Sequence, residues 1–133
     1  YLKFDADKAL TYGLLSSDGL LDRDDYLLGV DIDGYCPIDE HMFDKDALII
    51  EHFQASKVSL CTPDKKPYLT VSFDAPLFGL WSPAGKGAPF VCIEPWYGRC
   101  DRADFRGELK NREYGNVLAV GETFEKSYTI TIE

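Results

Sequence analysis

The chain has 133 residues, of which 14 are Lys or Arg and 23 are Asp or Glu, and its net charge is −9. This length is typical of one domain with its own core, and the acidity excludes a nucleic-acid backbone or an anionic lipid surface as the main partner. No apolar run approaches the roughly 20 residues of a membrane span. Aromatic residues make up 14% of the chain, which excludes a disordered protein.

The first residues, Tyr1-Leu2-Lys3-Phe4, alternate as a β-strand does. No initiator methionine or signal peptide precedes them, so we expect residues 1–133 to be one β-sandwich segment of a longer domain whose N-terminal part is missing. The 4 cysteines have no CxxC spacing, and without a secretory signal they are expected to be reduced thiols in a cytoplasmic protein.

Strand patterns follow one another along the chain. Residues 47–50 are apolar on both faces and predict a buried strand, and residues 57–62 and 68–73 alternate as half-buried strands. Residues 89–93 predict a second fully buried strand, and residues 128–132 alternate again.

The segments between these strands predict turns, and they leave little room for helices. Pro and Gly cluster at 63–67 and 82–89, and only 101–112 has room for a short helix, which Gly107 weakens. The chain is therefore predicted to be all-β, as part of an antiparallel β-sandwich.

The most informative segment runs from Pro89 through Glu94-Pro95-Trp96. Alternation places Glu94 on the face of Cys92 and Trp96, and Pro95 is expected to end the strand because it lacks a backbone donor. A carboxylate beside a large aromatic ring at the end of a buried strand is partly desolvated, which suits a general base. The same pair suits a sugar, whose C–H face stacks on an indole while its hydroxyls bind the acid.

A structural role for Glu94 is the alternative at this point. In that interpretation Glu94 is a strand-end residue paired with Arg99 or Arg102. The stretch from Arg99 to Arg112 interleaves five cations with three acids, which favours a solvated face and not a nucleic-acid patch.

The other acidic residues and the two histidines give weaker indications of a functional site. Asp31, Asp33 and Gly34 sit at calcium-loop spacing, but Gly29 occupies the first ligand place and Pro37 interrupts the loop, so a solvated acidic loop is favoured. The two histidines, His41 and His52, lack the close spacing of zinc ligands. Asp44 and Asp46 enter the buried strand at 47–50, where they either project into a cleft or cap the adjacent turn.

Three segments together resemble a known family. Leu80-Trp81-Ser82-Pro83 with 88–98, the strand at 43–50, and Gly121-Glu122-Thr123-Phe124 with 127–132 resemble the C-terminal part of aldose 1-epimerases, in the galactose mutarotase-like branch. The resemblance implies a large twisted β-sandwich that interconverts the α and β anomers of an aldose. In that family a glutamate takes the proton of the anomeric hydroxyl and a histidine protonates the ring oxygen.

The resemblance also implies roles for individual residues. Glu94 takes the place of the catalytic base, Asp44 or Asp46 that of a sugar-holding aspartate, and Trp96 and Trp81 line the pocket. Neither histidine lies in a family histidine motif, so the general acid is expected in the N-terminal half, and this segment alone is expected to be inactive.

The expected partners follow from the same reading. The ligand is a small sugar, with no metal, organic cofactor, nucleic acid or membrane, and the segment is expected to associate with its other half or with itself. A carbohydrate-binding β-sandwich domain without catalysis is the alternative function, and a structural β module without sugar affinity is a third.

Overall fold

A computed structural model describes residues 1–133 as two antiparallel five-stranded sheets. The strands are β1 (Leu2–Phe4), β2 (Leu10–Leu15), β3 (Leu21–Leu28), β4 (Tyr35–Cys36), β5 (Leu48–Ile50), β6 (Lys57–Cys61), β7 (Pro67–Phe73), β8 (Leu77–Trp81), β9 (Cys92–Trp96) and β10 (Tyr128–Ile132). The first sheet has the order β10-β7-β6-β1-β4 and the second the order β3-β2-β5-β8-β9. The predicted all-β class is confirmed.

The main core lies between the sheets and consists of side chains that alternate inward. Its buried members include Leu2, Phe4, Leu14, Leu48, Ile50, Val58, Val71, Phe73, Phe78 and Leu80. A smaller cluster of Leu21, Ile49 and Leu77 lies apart from it, on the opposite face of the second sheet. The second sheet therefore has apolar side chains on both faces, and we call the face away from the main core the outer face.

The prediction of a fully buried strand at 89–93 is wrong in the bounds of the strand and in its burial. Strand β9 begins at Cys92 and continues through Pro95 to Trp96, and all five of its residues are half-buried. Because β9 is the edge of its sheet, the missing N–H of Pro95 does not interrupt a ladder on both sides, so the proline does not end the strand. Phe90 lies outside the strand with 50% of its surface exposed.

The two ends of the chain form strands as predicted. β1 pairs with β4 and β6, and β10 pairs in register with β7 from Tyr128 opposite Phe73 to Ile132 opposite Leu69. The stretch predicted to hold a short helix contains a single 3₁₀ turn, Leu109–Asn111. No helix of the chain has the length and apolar character needed to cross a membrane.

Candidate functional site

Glu94 lies in the middle of β9, on the outer face of the second sheet. The register places it opposite Gly79 of β8, which is in turn opposite Ile49 of β5. Its neighbour Ile93 packs against the main core, so the alternation of the strand turns Glu94 away from that core. Trp96 packs against the small outer cluster that contains Ile49. Glu94 and Trp96 therefore share a face, as the alternation predicts.

The side chains of Glu94 and Trp96 contact each other directly. The indole Nε1–H of Trp96 donates a hydrogen bond to Oε2 of Glu94 at 3.1 Å. Cys92 lies on the same face. Burial of its thiol, and to a smaller degree the negative charge of Glu94, raise the pKa of that thiol. The carboxylate is thus bounded by an indole and a thiol, neither of which neutralises its charge.

The arginine partners that the sequence suggested for Glu94 bind other carboxylates. Arg99 pairs with Glu51 and Glu113, and Arg102 pairs with Asp24 at 2.6 Å and with Glu113 at 3.0 Å. None of the ion pairs in the chain includes Glu94. The predicted pairing of Glu94 with Arg99 or Arg102 is therefore wrong.

A buried ion pair lies at the end of β5, on the outer face. The side chains of Arg99 and Glu51 are 1% and 3% exposed, and the guanidinium Nη1 also donates to the Cys100 carbonyl at 2.8 Å. The guanidinium lies 5.3 Å from the ring centre of Tyr114. Burial opposes the charge of Arg99, but its hydrogen bonds to Glu51 and Glu113 outweigh this and raise its pKa.

This pair shows that the segment 99–112 is not a uniformly solvated face, because Arg99 is buried. Sequence analysis missed Glu51 altogether. The available signal was the alternation from Ile49, which carries Glu51 to the same face two residues later. The pair ties the loop that follows β9 back to β5, two strands away in the sheet.

Two cavities lie near the predicted site residues. One, of about 310 Å³, is bordered by Trp96 together with Ile49, Arg99 and the Gly98 and Cys100 backbone region. The larger one, of about 520 Å³, lies between the segments 38–44 and 82–91. Glu94 does not line the larger cavity. Trp96 borders the smaller cavity, and its hydrogen-bond partner Glu94 lines neither of the two.

Asp44 and Asp46 have different surroundings. Asp46 has a positive φ of 76°, and its Oδ1 accepts the N–H of Ala47 at 2.7 Å, so it shapes the turn before β5. Asp44 lines the larger cavity, and its Oδ2 lies 2.9 Å from Nδ1 of His41. Neither aspartate borders the cavity beside Trp96, so the structure does not bring them together with Glu94.

Trp81 ends β8 opposite Cys92, at the start of β9. It is half-buried, and its ring centre lies 6.4 Å from that of Phe90. Because Trp81 is two residues from Gly79 in the same strand, it lies on the outer face as well. The two tryptophans thus lie on either side of Glu94 along the sheet edge.

The remaining polar residues form local contacts. His52 is exposed, with its Nδ1 3.2 Å from the Tyr114 hydroxyl. Asp31 accepts the N–H groups of Asp33 and Tyr35 and pairs with Lys65 at 2.7 Å, which makes its loop a turn held by side chains. No group of three or more His, Cys, Asp or Glu side chains is arranged to hold a metal ion.

Comparison with known proteins gives a consistent set of relatives. No protein-family model matches the chain. The chromosomal and plasmid LacX proteins of Lactococcus lactis subsp. lactis are each 30% identical to it over 115 residues, which is 86% of this chain and 38% of theirs. A solved galactose mutarotase related enzyme from Lactobacillus acidophilus matches all of this chain and 44% of its own, with a TM-score of 0.83 and 32% identity.

A second solved structure shows the same fold at lower identity. It is a galactose mutarotase-like protein from Lactobacillus casei, with a TM-score of 0.72 and 20% identity over 97% of this chain and 44% of its own. The chain thus spans less than half the length of the relatives it matches. The chain therefore resembles galactose mutarotase-related proteins along its whole length, and the match is consistent with a C-terminal part of their fold.

Proposed function

We propose that the chain is the C-terminal half of a longer aldose 1-epimerase-like domain and contributes the general base, Glu94, to its active site. The observation that carries this proposal is the Glu94–Trp96 pair on the outer face, free of any arginine partner. A carboxylate without a cationic partner, hydrogen-bonded to an indole that borders an open cavity, can accept a proton from a sugar hydroxyl. The similarity to galactose mutarotase-related proteins supports the same chemistry.

The proposed reaction moves two protons and breaks one bond. Glu94 takes the proton of the anomeric hydroxyl, the bond between C1 and the ring oxygen breaks, and a general acid gives its proton to that oxygen. Rotation about the C1–C2 bond and closure in reverse then deliver the other anomer. No histidine of this chain borders the Trp96 cavity, so we assign the general acid to the other half of the domain.

The substrate in this proposal is an aldose. Trp96 and Trp81 supply aromatic surface on both sides of Glu94, and aromatic rings stack on the C–H face of a sugar. Asp44 and Asp46 are the proposed residues for binding sugar hydroxyls. Asp46 bonds its own turn, and Asp44 lines the larger cavity, so Asp44 is a candidate for a part of the sugar that extends from Glu94 into that cavity. The free thiols of all four cysteines fit the reducing cytoplasm.

Polarimetry of freshly dissolved α-glucose and α-galactose tests this function. The full-length protein is expected to accelerate the approach to anomeric equilibrium, since general acid and general base catalysis each contribute about 10²–10⁴-fold. A carbohydrate-binding domain without catalysis is the second candidate function, because this chain alone supplies no histidine at the Trp96 cavity. Saturable sugar binding without acceleration would establish that alternative and reject the enzyme.

A further inference from the structure

The Trp96 indole is fixed by contacts at two of its sides. Its six-membered ring lies against the backbone of Gly79 in the neighbouring strand, where an added Cβ would lie 2.7 Å from Cζ2 and 3.0 Å from Cη2 of the ring. Carbon atoms in contact are normally 3.5–4.0 Å apart, so this position admits the ring only because residue 79 is glycine. At its other side, Nε1–H is bonded to Glu94.

Gly79, Glu94 and Trp96 form one unit of the sheet. Gly79 is the register partner of Glu94, and Trp96 is the register partner of Leu77, which is 1% exposed. The ring therefore crosses diagonally from β9 onto β8 and anchors in the small outer cluster. Because β9 is an edge strand, no further strand holds Glu94 from its other side.

We propose that Trp96 is a positioning residue that holds Oε2 of Glu94 and leaves Oε1 to accept the proton of the anomeric hydroxyl. This inference rests on the proposed function of Glu94. The accepting oxygen of a general base must lie within about 3 Å of the hydroxyl oxygen whose proton it removes, and an error of about 1 Å in its position costs on the order of 10²-fold in rate. The indole acts on the sugar through Glu94, in addition to any stacking surface that it offers.

The variant Trp96→Phe separates positioning from stacking. Phenylalanine keeps an aromatic ring against Gly79 but has no N–H to donate. If Trp96 positions the base, kcat for anomer interconversion falls by about 10–100-fold while KM changes little. A rise in KM with an unchanged kcat would show that Trp96 acts by binding the sugar and would overturn the proposal.

The variant Gly79→Ala tests the same positioning contact without changing Glu94 or Trp96. Its added Cβ displaces the indole, so we expect a loss of kcat similar to that of Trp96→Phe. Gly29→Ala is the matched control, because an added Cβ at Gly29 meets nothing within 4 Å. The double variant Gly79→Ala with Trp96→Phe is expected to have a kcat no lower than that of the slower single variant, because both substitutions act on the same hydrogen bond. Additive losses, or equal losses in the control, would contradict this role.

The indole N–H signal of Trp96 in a ¹⁵N-correlated NMR spectrum reports the contact independently of activity. The variant Trp96→Phe assigns this signal in the full-length protein, because it removes the Trp96 indole N–H. Glu94→Gln is expected to move this signal upfield, since a hydrogen bond to a carboxylate is stronger than one to an amide. A signal that does not respond would overturn the positioning role, whatever the enzyme does. If the signal responds but the protein has no mutarotation activity, the proposed function is wrong and the contact between Trp96 and Glu94 is still confirmed.

Discussion

Replacing Glu94 by glutamine is expected to lower kcat for anomer interconversion by about 10²–10⁴-fold, the usual contribution of a general base. Glutamine has the size of glutamate and still offers an oxygen to the Trp96 N–H, so the sheet edge keeps its geometry. It cannot take up a proton at neutral pH, which is the step assigned to Glu94. Polarimetry of the full-length protein and its Glu94→Gln variant on α-galactose measures the effect.

The control for this substitution is Glu125→Gln. Glu125 is exposed and takes part in no ion pair of the chain, so its replacement makes the same change in charge away from the outer face. It is expected to keep the rate of the unsubstituted protein. A Glu94→Gln protein with activity within a few-fold of that rate would remove Glu94 from the chemistry.

Replacing Arg99 by methionine is expected to lower the free energy of unfolding by about 3–5 kcal/mol. The change removes the close charged partner of the Glu51 carboxylate, which is 3% exposed, and leaves Arg102, whose Nη2 lies 3.8 Å from Oε2, as its nearest cation. One oxygen of Glu51, Oε2, has no hydrogen-bond partner, because Arg102 lies beyond hydrogen-bond distance from it. Urea unfolding followed by circular dichroism gives the change.

An exposed pair in the same sheet supplies the control. Arg23 and Asp25 form an ion pair at 2.8 Å with side chains 60% and 65% exposed, and Arg23→Met is expected to leave the urea midpoint unchanged. The double variant Glu51→Met with Arg99→Met is expected to be more stable than Arg99→Met alone, because it removes the stranded charge. Equal midpoints for Arg99→Met and Arg23→Met would show that Glu51 is solvated.

Local alternation was enough to predict several features of this fold. It predicted the buried strand β5, the terminal strands β1 and β10, and the shared face of Glu94 and Trp96. Each of these depends on the period of two in an extended chain and on whether one or both faces are apolar. The family motifs predicted the galactose mutarotase-like β-sandwich fold, which the structural comparison confirms.

Features that depend on strand neighbours were not predictable in this way. The path of β9 through Pro95 is allowed because β9 is an edge, and edge position is a property of the whole sheet. The pairing of Arg99 with Glu51 joins residues 48 positions apart, and no local pattern specifies it. The different surroundings of Asp44 and Asp46 depend on the positive φ of Asp46, which side-chain type alone does not reveal.

An NMR titration of the ¹⁵N-labelled full-length protein with galactose locates the bound sugar on the protein. We predict that the amide signals of Gly79 and Glu94 and the indole signal of Trp96 shift together and saturate. Shifts confined to His41, Asp44 and Phe90 would place the sugar in the larger cavity and contradict the assignment of the site to the outer face.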